Sequence, residues 1–159
     1  MVATAPATWQ GRWAHEADTQ AFAQRLAQCP AIAHATLALH GDLGAGKTTF
    51  VRHLLRALGV SGRIKSPTYA VVEPHEAPGL SIWHFDFYRF NDPREWEDAG
   101  FRDVFASPGL KIAEWPDKAA GLLPTPDLVL HIEAEPDDSR RVTATARTDT
   151  GRELLEAAP

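Results

Sequence analysis

The sequence has 159 residues, 44% hydrophobic and 23% charged, which suits one folded domain better than two. Its net charge of −5 argues against a protein whose main task is to hold the nucleic-acid backbone, since such proteins carry a basic surplus. A single cysteine excludes an intrachain disulfide, and no apolar stretch approaches the roughly 20 residues of a membrane span. We expect one cytoplasmic domain over residues 1–159, with any fraying at 1–7 and 150–159.

The first 60 residues alternate strand and helix patterns. Apolar residues recur at helical spacing in two places, and Gly59 is a suitable end for the second helix. In chain order we predict a strand over 7–14, a helix from Asp18 or Thr19 to about Cys29, a strand over 36–40 and a helix over 48–58.

The rest of the sequence is richer in strand patterns. We predict strands over 68–73, 80–86, 110–114, 128–133 and 141–147, a short helix over 93–99, a loop over 73–79, and either a helix or a frayed tail over 151–158. Several consecutive strands lack a helix long enough for a parallel crossover. The fold class is therefore α/β, with a mixed β-sheet flanked by helices.

The stretch GDLGAGKTTF (41–50) follows a predicted strand and opens a predicted helix, and it matches the phosphate-loop pattern G-x-x-x-x-G-K-[ST] in full. Its glycines let successive amides point at an anion, and the helix start adds a positive dipole end. Lys47 supplies a charge for the outer phosphates, and the Thr48 hydroxyl suits Mg²⁺. The predicted nucleotide-triphosphate loop of this P-loop NTPase-like domain comprises Gly41, Asp42, Leu43, Gly44, Ala45, Gly46, Lys47, Thr48 and Thr49.

Two carboxylates follow β-prone runs and can reach the edge where strand carboxyl ends gather. Asp86 ends LSIWHFD and Glu114 ends LKIAE. Either can hold Mg²⁺ while the other orients the attacking water, and the sequence leaves that division open. No Asn-Lys-x-Asp segment typical of guanine-binding P-loop proteins occurs, so ATP is favoured over GTP.

The segment SPTYAVVE (66–73) has two interpretations. It is either a capped strand entry after Pro67, or a switch in which Ser66 or Thr68 senses the terminal phosphate.

Four segments now point to a family: GDLGAGKTTF at 41–50, SPTY at 66–69, HFDFYR at 84–89 and EWP at 114–116. In this order and at similar spacing they resemble the bacterial TsaE (YjeE) family, the P-loop ATPase of tRNA threonylcarbamoyladenosine synthesis. The likeness covers nearly the whole chain; each motif is moderately specific, and the series is much more so.

The resemblance implies an ATP- and Mg²⁺-dependent ATPase that works with the partners TsaB and TsaD. That complex modifies tRNAs reading codons that begin with A, so contact with tRNA would be indirect, and no membrane is involved. The implied roles are phosphate binding by Lys47, Mg²⁺ binding by Thr48 and Glu114, water or metal positioning by Asp86, a switch at Thr68, and nucleotide contacts from Trp115 and Glu16.

The stretch EAEPDDSRR (133–141) fits no motif of that family. It either brings Arg140 or Arg141 to the nucleotide or forms a solvated turn.

Three functional classes remain open: a slow ATPase regulating a tRNA-modifying assembly, a small-molecule or nucleotide kinase, and a nucleotide-gated binding module. The sequence has no obvious arginine-rich lid segment, which disfavours the kinase. Phosphate release without an acceptor separates the first class from the other two.

Overall fold

The computed structural model describes residues 7–67, 71–90, 94 and 100–159. Within these ranges seven strands form one sheet, and in chain order they are β1 (Ala7–Trp13), β2 (Thr36–His40), β3 (Val72–Ala77), β4 (Leu80–Asp86), β5 (Leu110–Glu114), β6 (Leu128–Ala134) and β7 (Arg140–Ala146). Across the sheet the order is β1-β7-β6-β2-β5-β4-β3. The central strands β6, β2, β5 and β4 are parallel, while β3, β7 and β1 pair antiparallel with their neighbours. The predicted α/β fold with a mixed sheet is confirmed.

The helices cover the sheet and are short. In the described part of the chain they are α1 (Glu16–Gln28), α2 (Lys47–Leu58), α3 (Phe101–Ala106) and α4 (Asp149–Ala157), with 3-10 turns at Pro30–His34 and Pro116–Ala119. None of them is long and apolar enough to cross a membrane.

Helix α1 begins earlier than the predicted start at Asp18 or Thr19. The backbone N–H of His15 donates to the Asp18 carboxylate at 3.0 Å, so Asp18 lies in the first turn and closes the helix start from inside. Helix α2 ends as predicted at Gly59, whose φ of +101° is the left-handed conformation that glycine adopts without strain. For residues 151–158 the sequence predicted either a helix or a frayed tail, and the structure has the helix α4. The Thr148 hydroxyl caps this helix by accepting the N–H of Gly151.

The apolar core lies on both faces of the sheet. On one face α1, α2 and α4 pack over the central strands, and the ring of Phe22 contacts those of Trp13 and Phe50 at 5.3 and 6.3 Å. On the other face Phe85 and Phe87 pack with α3. The sheet is thus covered on both sides, as parallel strands require.

The chain departs from prediction at β3. The strand runs through Val72–Ala77, whereas the sequence predicted a strand over 68–73 and a loop over 73–79. The loop was predicted because of Pro74. In the structure β3 is the last strand of the sheet, where proline is tolerated because one side of the backbone needs no partner. Residues 68–70 lie outside the described residues, as does the predicted helix over 93–99 except at Arg94.

The sheet register brings the candidate residues together. Asp86 at the end of β4 pairs with Glu114 at the end of β5, and Glu114 also pairs with Leu39 of β2. Because these strands are parallel, their carboxyl ends meet at one edge. The glycine-rich loop that follows β2 therefore starts beside both carboxylates.

Candidate nucleotide-binding site

The glycine-rich loop ends in a helix start that has no side-chain cap. Gly46 precedes α2 with φ +113°, and the first helical bond in the described hydrogen bonds runs from the N–H of Phe50 to the C=O of Gly46 at 3.0 Å. The amides ahead of Phe50 lie in the turn where a helix has no acceptor of its own. This turn can therefore donate hydrogen bonds to an anion, with the helix dipole in support.

Gly41 is needed for space as well as for conformation. Its φ is +152°, and a Cβ atom built there would lie 2.4 Å from the carbonyl oxygen of Ile132 in β6. Gly44, at φ +80°, would place a Cβ in open space. The loop thus packs against β6 at its first residue and is open at its tip, where Leu43 is 68% exposed.

Lys47 lies inside the loop. It is 5% exposed, its ammonium group donates to the carbonyl oxygen of Gly41, and Nζ lies 3.9 Å from the centre of the Trp115 ring. Burial lowers the pKa of Lys47, and the carboxylates of Glu114 and Asp86 act in the opposite direction. The charge is therefore held between the loop backbone, an aromatic face and two acidic groups.

The two carboxylates differ in their surroundings. Glu114 is 3% exposed, and its Oε2 lies 2.6 Å from Nε2 of His84. Asp86 is partly exposed, and its Oδ1 accepts the backbone N–H of Tyr88 at 3.0 Å. Burial raises the pKa of Asp86, with a smaller contribution in the same direction from Glu114.

These groups line one cavity of about 200 Å³, formed by Leu43, Gly44, Gly46, Lys47, Thr48, Thr49, Asp86, Glu114, Trp115 and Arg140. Two carboxylates and the Thr48 hydroxyl are the oxygen donors that Mg²⁺ prefers. No group of three or more His, Cys, Asp or Glu side chains in the described residues could hold a metal without help. The donor set fits an ion that takes its other ligands from phosphate and water.

Trp115 has a strained backbone at this site. Its φ is +55°, a left-handed value that is uncommon for a bulky residue, and its ring contacts that of Tyr88 at 5.1 Å. The conformation directs the ring over Lys47. Strain of this kind is concentrated at functional positions.

A second cavity, of about 220 Å³, adjoins the first and lies against the start of α1. Its lining residues are Trp13, Ala14, His15, Glu16, Thr19, Gly46, Thr49, Asp138 and Arg140. Gly46, Thr49 and Arg140 belong to both cavities. Glu16 therefore lines the cavity next to the one that contains Lys47. Its carboxylate contacts His53 at 3.2 Å and Arg52 at 3.5 Å.

Comparison with known proteins identifies the family. The model of the family "Threonylcarbamoyl adenosine biosynthesis protein TsaE" matches residues 13–142. This chain belongs to the TsaE family. It is 43% identical over 119 residues to the tRNA threonylcarbamoyladenosine biosynthesis protein TsaE of Haemophilus influenzae, with 75% of each chain covered. It is 37% identical to the Bacillus subtilis protein of the same name, over 69% of this chain and 68% of that relative.

The fold agrees with that assignment. A crystal structure of Bacillus subtilis YdiB superposes with a TM-score of 0.79 at 29% identity, covering 97% of this chain and 95% of the other. The resemblance drawn from the four sequence motifs is confirmed. The TsaE-family chain is thus related to proteins of tRNA threonylcarbamoyladenosine biosynthesis.

The sequence of this TsaE-family chain did not decide whether Arg140 or Arg141 approaches the candidate site. The structure distinguishes the two. Arg140 lines both cavities, and its Nε would lie 3.4 Å from a Cβ atom at Gly46. Arg141 instead pairs with Glu135 at 3.0 Å. A solvated turn thus describes only part of this stretch.

Thr68 lies outside the described residues, so its place in a switch stays a prediction. His84 was missed, because the sequence indicated no hydrogen-bond partner for it. The only signal was its position two residues before Asp86 on the same face of β4.

Proposed function

We propose that this chain binds ATP with Mg²⁺ and hydrolyses it slowly as a component of tRNA threonylcarbamoyladenosine biosynthesis. The observation that carries the proposal is the cavity in which the loop amides, Lys47, Thr48 and two carboxylates converge. Each group suits a different part of a metal-bound triphosphate.

The phosphates are held by the chain's own donors. Amides of residues 46–49 approach from the helix start, and Lys47 adds an ammonium group whose position is fixed by the Gly41 carbonyl. Lys47 is buried, and a buried donor contributes more than it would in bulk solvent.

The metal is held by Thr48 and Glu114, with Asp86 as the second carboxylate. When bound, Mg²⁺ would neutralise negative charge on the phosphates. Asp86 is more exposed than Glu114 and is held by one backbone hydrogen bond, which leaves its other oxygen available to orient a water molecule.

The base and ribose occupy the second cavity, next to Glu16. Arg140 lies between the two cavities, so its guanidinium group can contact the nucleotide where phosphates meet sugar. Trp115 covers the phosphate end. ATP is the proposed nucleotide because the chain lacks the Asn-Lys-x-Asp segment.

The proposed setting is the cytoplasm, with TsaB and TsaD as partners, on tRNAs reading codons that begin with A. The chain's net charge of −5 fits a protein that reaches tRNA through partners rather than by its own surface. Family membership supports this role, since relatives carry the name of the same biosynthesis. Thr68 is proposed to report the terminal phosphate to those partners.

Calorimetry and phosphate release test the cavity. Lys47→Ala should weaken Mg-ATP binding by about 10- to 100-fold, the range expected for a lost charged hydrogen bond. The matched control is Lys118→Ala, which removes an exposed lysine outside the loop. Wild-type affinity in Lys47→Ala would refute the assigned phosphate site.

Hydrolysis separates the proposed ATPase from a kinase or a passive binding module. The protein alone should release phosphate slowly without an added acceptor, and Glu114→Ala should cut that rate while retaining most nucleotide affinity. Addition of TsaB and TsaD should change the rate. Phosphate transfer to a small acceptor, with no release to water, would establish the kinase instead.

A further inference from the structure

A buried histidine lies directly behind Glu114. Nε2 of His84 and Oε2 of Glu114 are 2.6 Å apart, with side-chain exposures of 1% and 4%. A carboxylate can only accept a hydrogen bond, so Nε2 carries the proton and donates it. Carboxylate and ring thus form one short contact away from solvent.

Sheet register makes this contact possible. His84 of β4 pairs with Ile112 of β5, and Glu114 stands two residues further along β5 on the same face. Diagonal neighbours of this kind lie within reach of long side chains. The contact therefore joins two strands at the edge where the phosphate loop begins.

His84 makes no other hydrogen bond that competes with this one in the described residues. Its Nδ1 is buried and has no hydrogen-bond partner there. Replacement of the ring therefore removes one polar contact, the one to Glu114. Mutation of His84 can therefore measure the effect of this one contact.

We infer that His84 is a positioning residue that fixes the Glu114 carboxylate by binding Oε2, so that its other oxygen faces the cavity containing Lys47 and Thr48. The inference rests on the proposed function, in which Glu114 binds the metal. A buried carboxylate with no partner would lose orientation and carry a desolvation cost, and the histidine prevents both. Partners behind metal ligands typically change metal affinity or activity by about 10- to 100-fold.

The test compares two amides at position 84. The amide nitrogen of His84→Gln reaches about as far as Nε2 and keeps a donor for Glu114, whereas that of His84→Asn stops near Nδ1 and falls short. Mn²⁺ affinity in the complex with the non-hydrolysed analogue AMP-PNP is measured by electron paramagnetic resonance. We expect His84→Asn to weaken Mn²⁺ binding by about 10-fold or more, His84→Gln to retain most of it, and AMP-PNP binding in EDTA to be unchanged in both.

A double-mutant cycle tests whether His84 acts through Glu114. In a Glu114→Ala background His84→Asn should cause no further loss of Mn²⁺ affinity, because its target is gone. An equal loss in both backgrounds would mark a general structural effect and overturn the inference. So would wild-type Mn²⁺ affinity in His84→Asn.

The Glu114→Ala variant alone distinguishes the proposed metal role of Glu114 from the inferred positioning role of His84. Wild-type Mn²⁺ affinity there would refute the proposed metal role of Glu114 itself. Loss there with none in His84→Asn would leave the proposed function intact and refute only the role of His84. Circular dichroism checks folding, and if His84→Asn does not fold, His84→Leu replaces it as the variant without a donor, with the same deciding outcomes.

Discussion

Replacement of Gly41 by alanine tests the packing of the phosphate loop against β6. The new Cβ would lie 2.4 Å from the carbonyl oxygen of Ile132, while ordinary contacts begin near 3.4 Å, so loop and strand must separate by about 1 Å. Overpacking of this kind costs about 1–3 kcal/mol. The left-handed φ of +152° adds about 1–3 kcal/mol for a residue with a Cβ.

Thermal unfolding without nucleotide measures that cost. For a domain of this size 1 kcal/mol shifts Tm by about 2–4 °C, so we expect Gly41→Ala to lower Tm by about 4 °C or more. Gly44→Ala is the matched control, because it also has a positive φ but its Cβ meets nothing within 4 Å. It should cost only the conformational term, about 1–2 kcal/mol.

The difference between the two alanine variants decides the matter. If Gly41→Ala unfolds at the same temperature as Gly44→Ala, or above it, the close approach to Ile132 does not constrain the loop and the reasoning is refuted. A second readout is Mg-ATP affinity, which should fall in Gly41→Ala because the displaced carbonyl no longer holds Lys47.

Three further changes probe the site and its supports. Arg140→Ala should weaken Mg-ATP binding by about 10-fold or more in calorimetry, whereas Arg141→Ala should leave it unchanged; equal effects would contradict the placement of Arg140 between the cavities. Asp86→Asn should stabilise the metal-free protein at pH 7, because burial raises the pKa of Asp86 above 3.8 and its ionised form opposes folding at higher pH. The stability difference between Asp86→Asn and the wild type should shrink as the pH falls toward 3.8. Thermal melts in EDTA at several pH values measure it, and a difference that does not change with pH would refute the reasoning. Gly151→Ala should lower Tm although alanine favours helices, because its Cβ would lie 1.8 Å from the carbonyl oxygen of Asp127, and a higher Tm would show that α4 moves aside freely.

The parallel centre of the fold was predictable because its strands are short apolar runs. The bounds of β4 and β5 match prediction, since each run ends at the carboxylate where the site begins. For the edge strand β3, the expectation that strands are short apolar runs was wrong. In β3 Pro74 and charged neighbours resemble a loop, and only the vacant side of an edge strand makes that composition acceptable.

The site divides in the same way. Contiguous residues predicted the phosphate loop, because four of its positions follow a pattern with a direct physical cause. Arg140 and His84 could not be assigned from sequence. Arg140 approaches Gly46 across 94 positions of the chain, and His84 meets Glu114 only through sheet register. Such contacts depend on strand order, which composition and spacing do not encode.

The arrangement around Lys47 explains why these distant contacts matter to a short motif. An ammonium group has three donors, and the Gly41 carbonyl engages one of them while the ring of Trp115 covers the group from one side. Two donors remain, which in the proposed function bind phosphate oxygens, and their direction is set by the carbonyl. That carbonyl is placed in turn by the contact of Gly41 with β6. The motif therefore supplies the groups, and the strand beside it sets where they point.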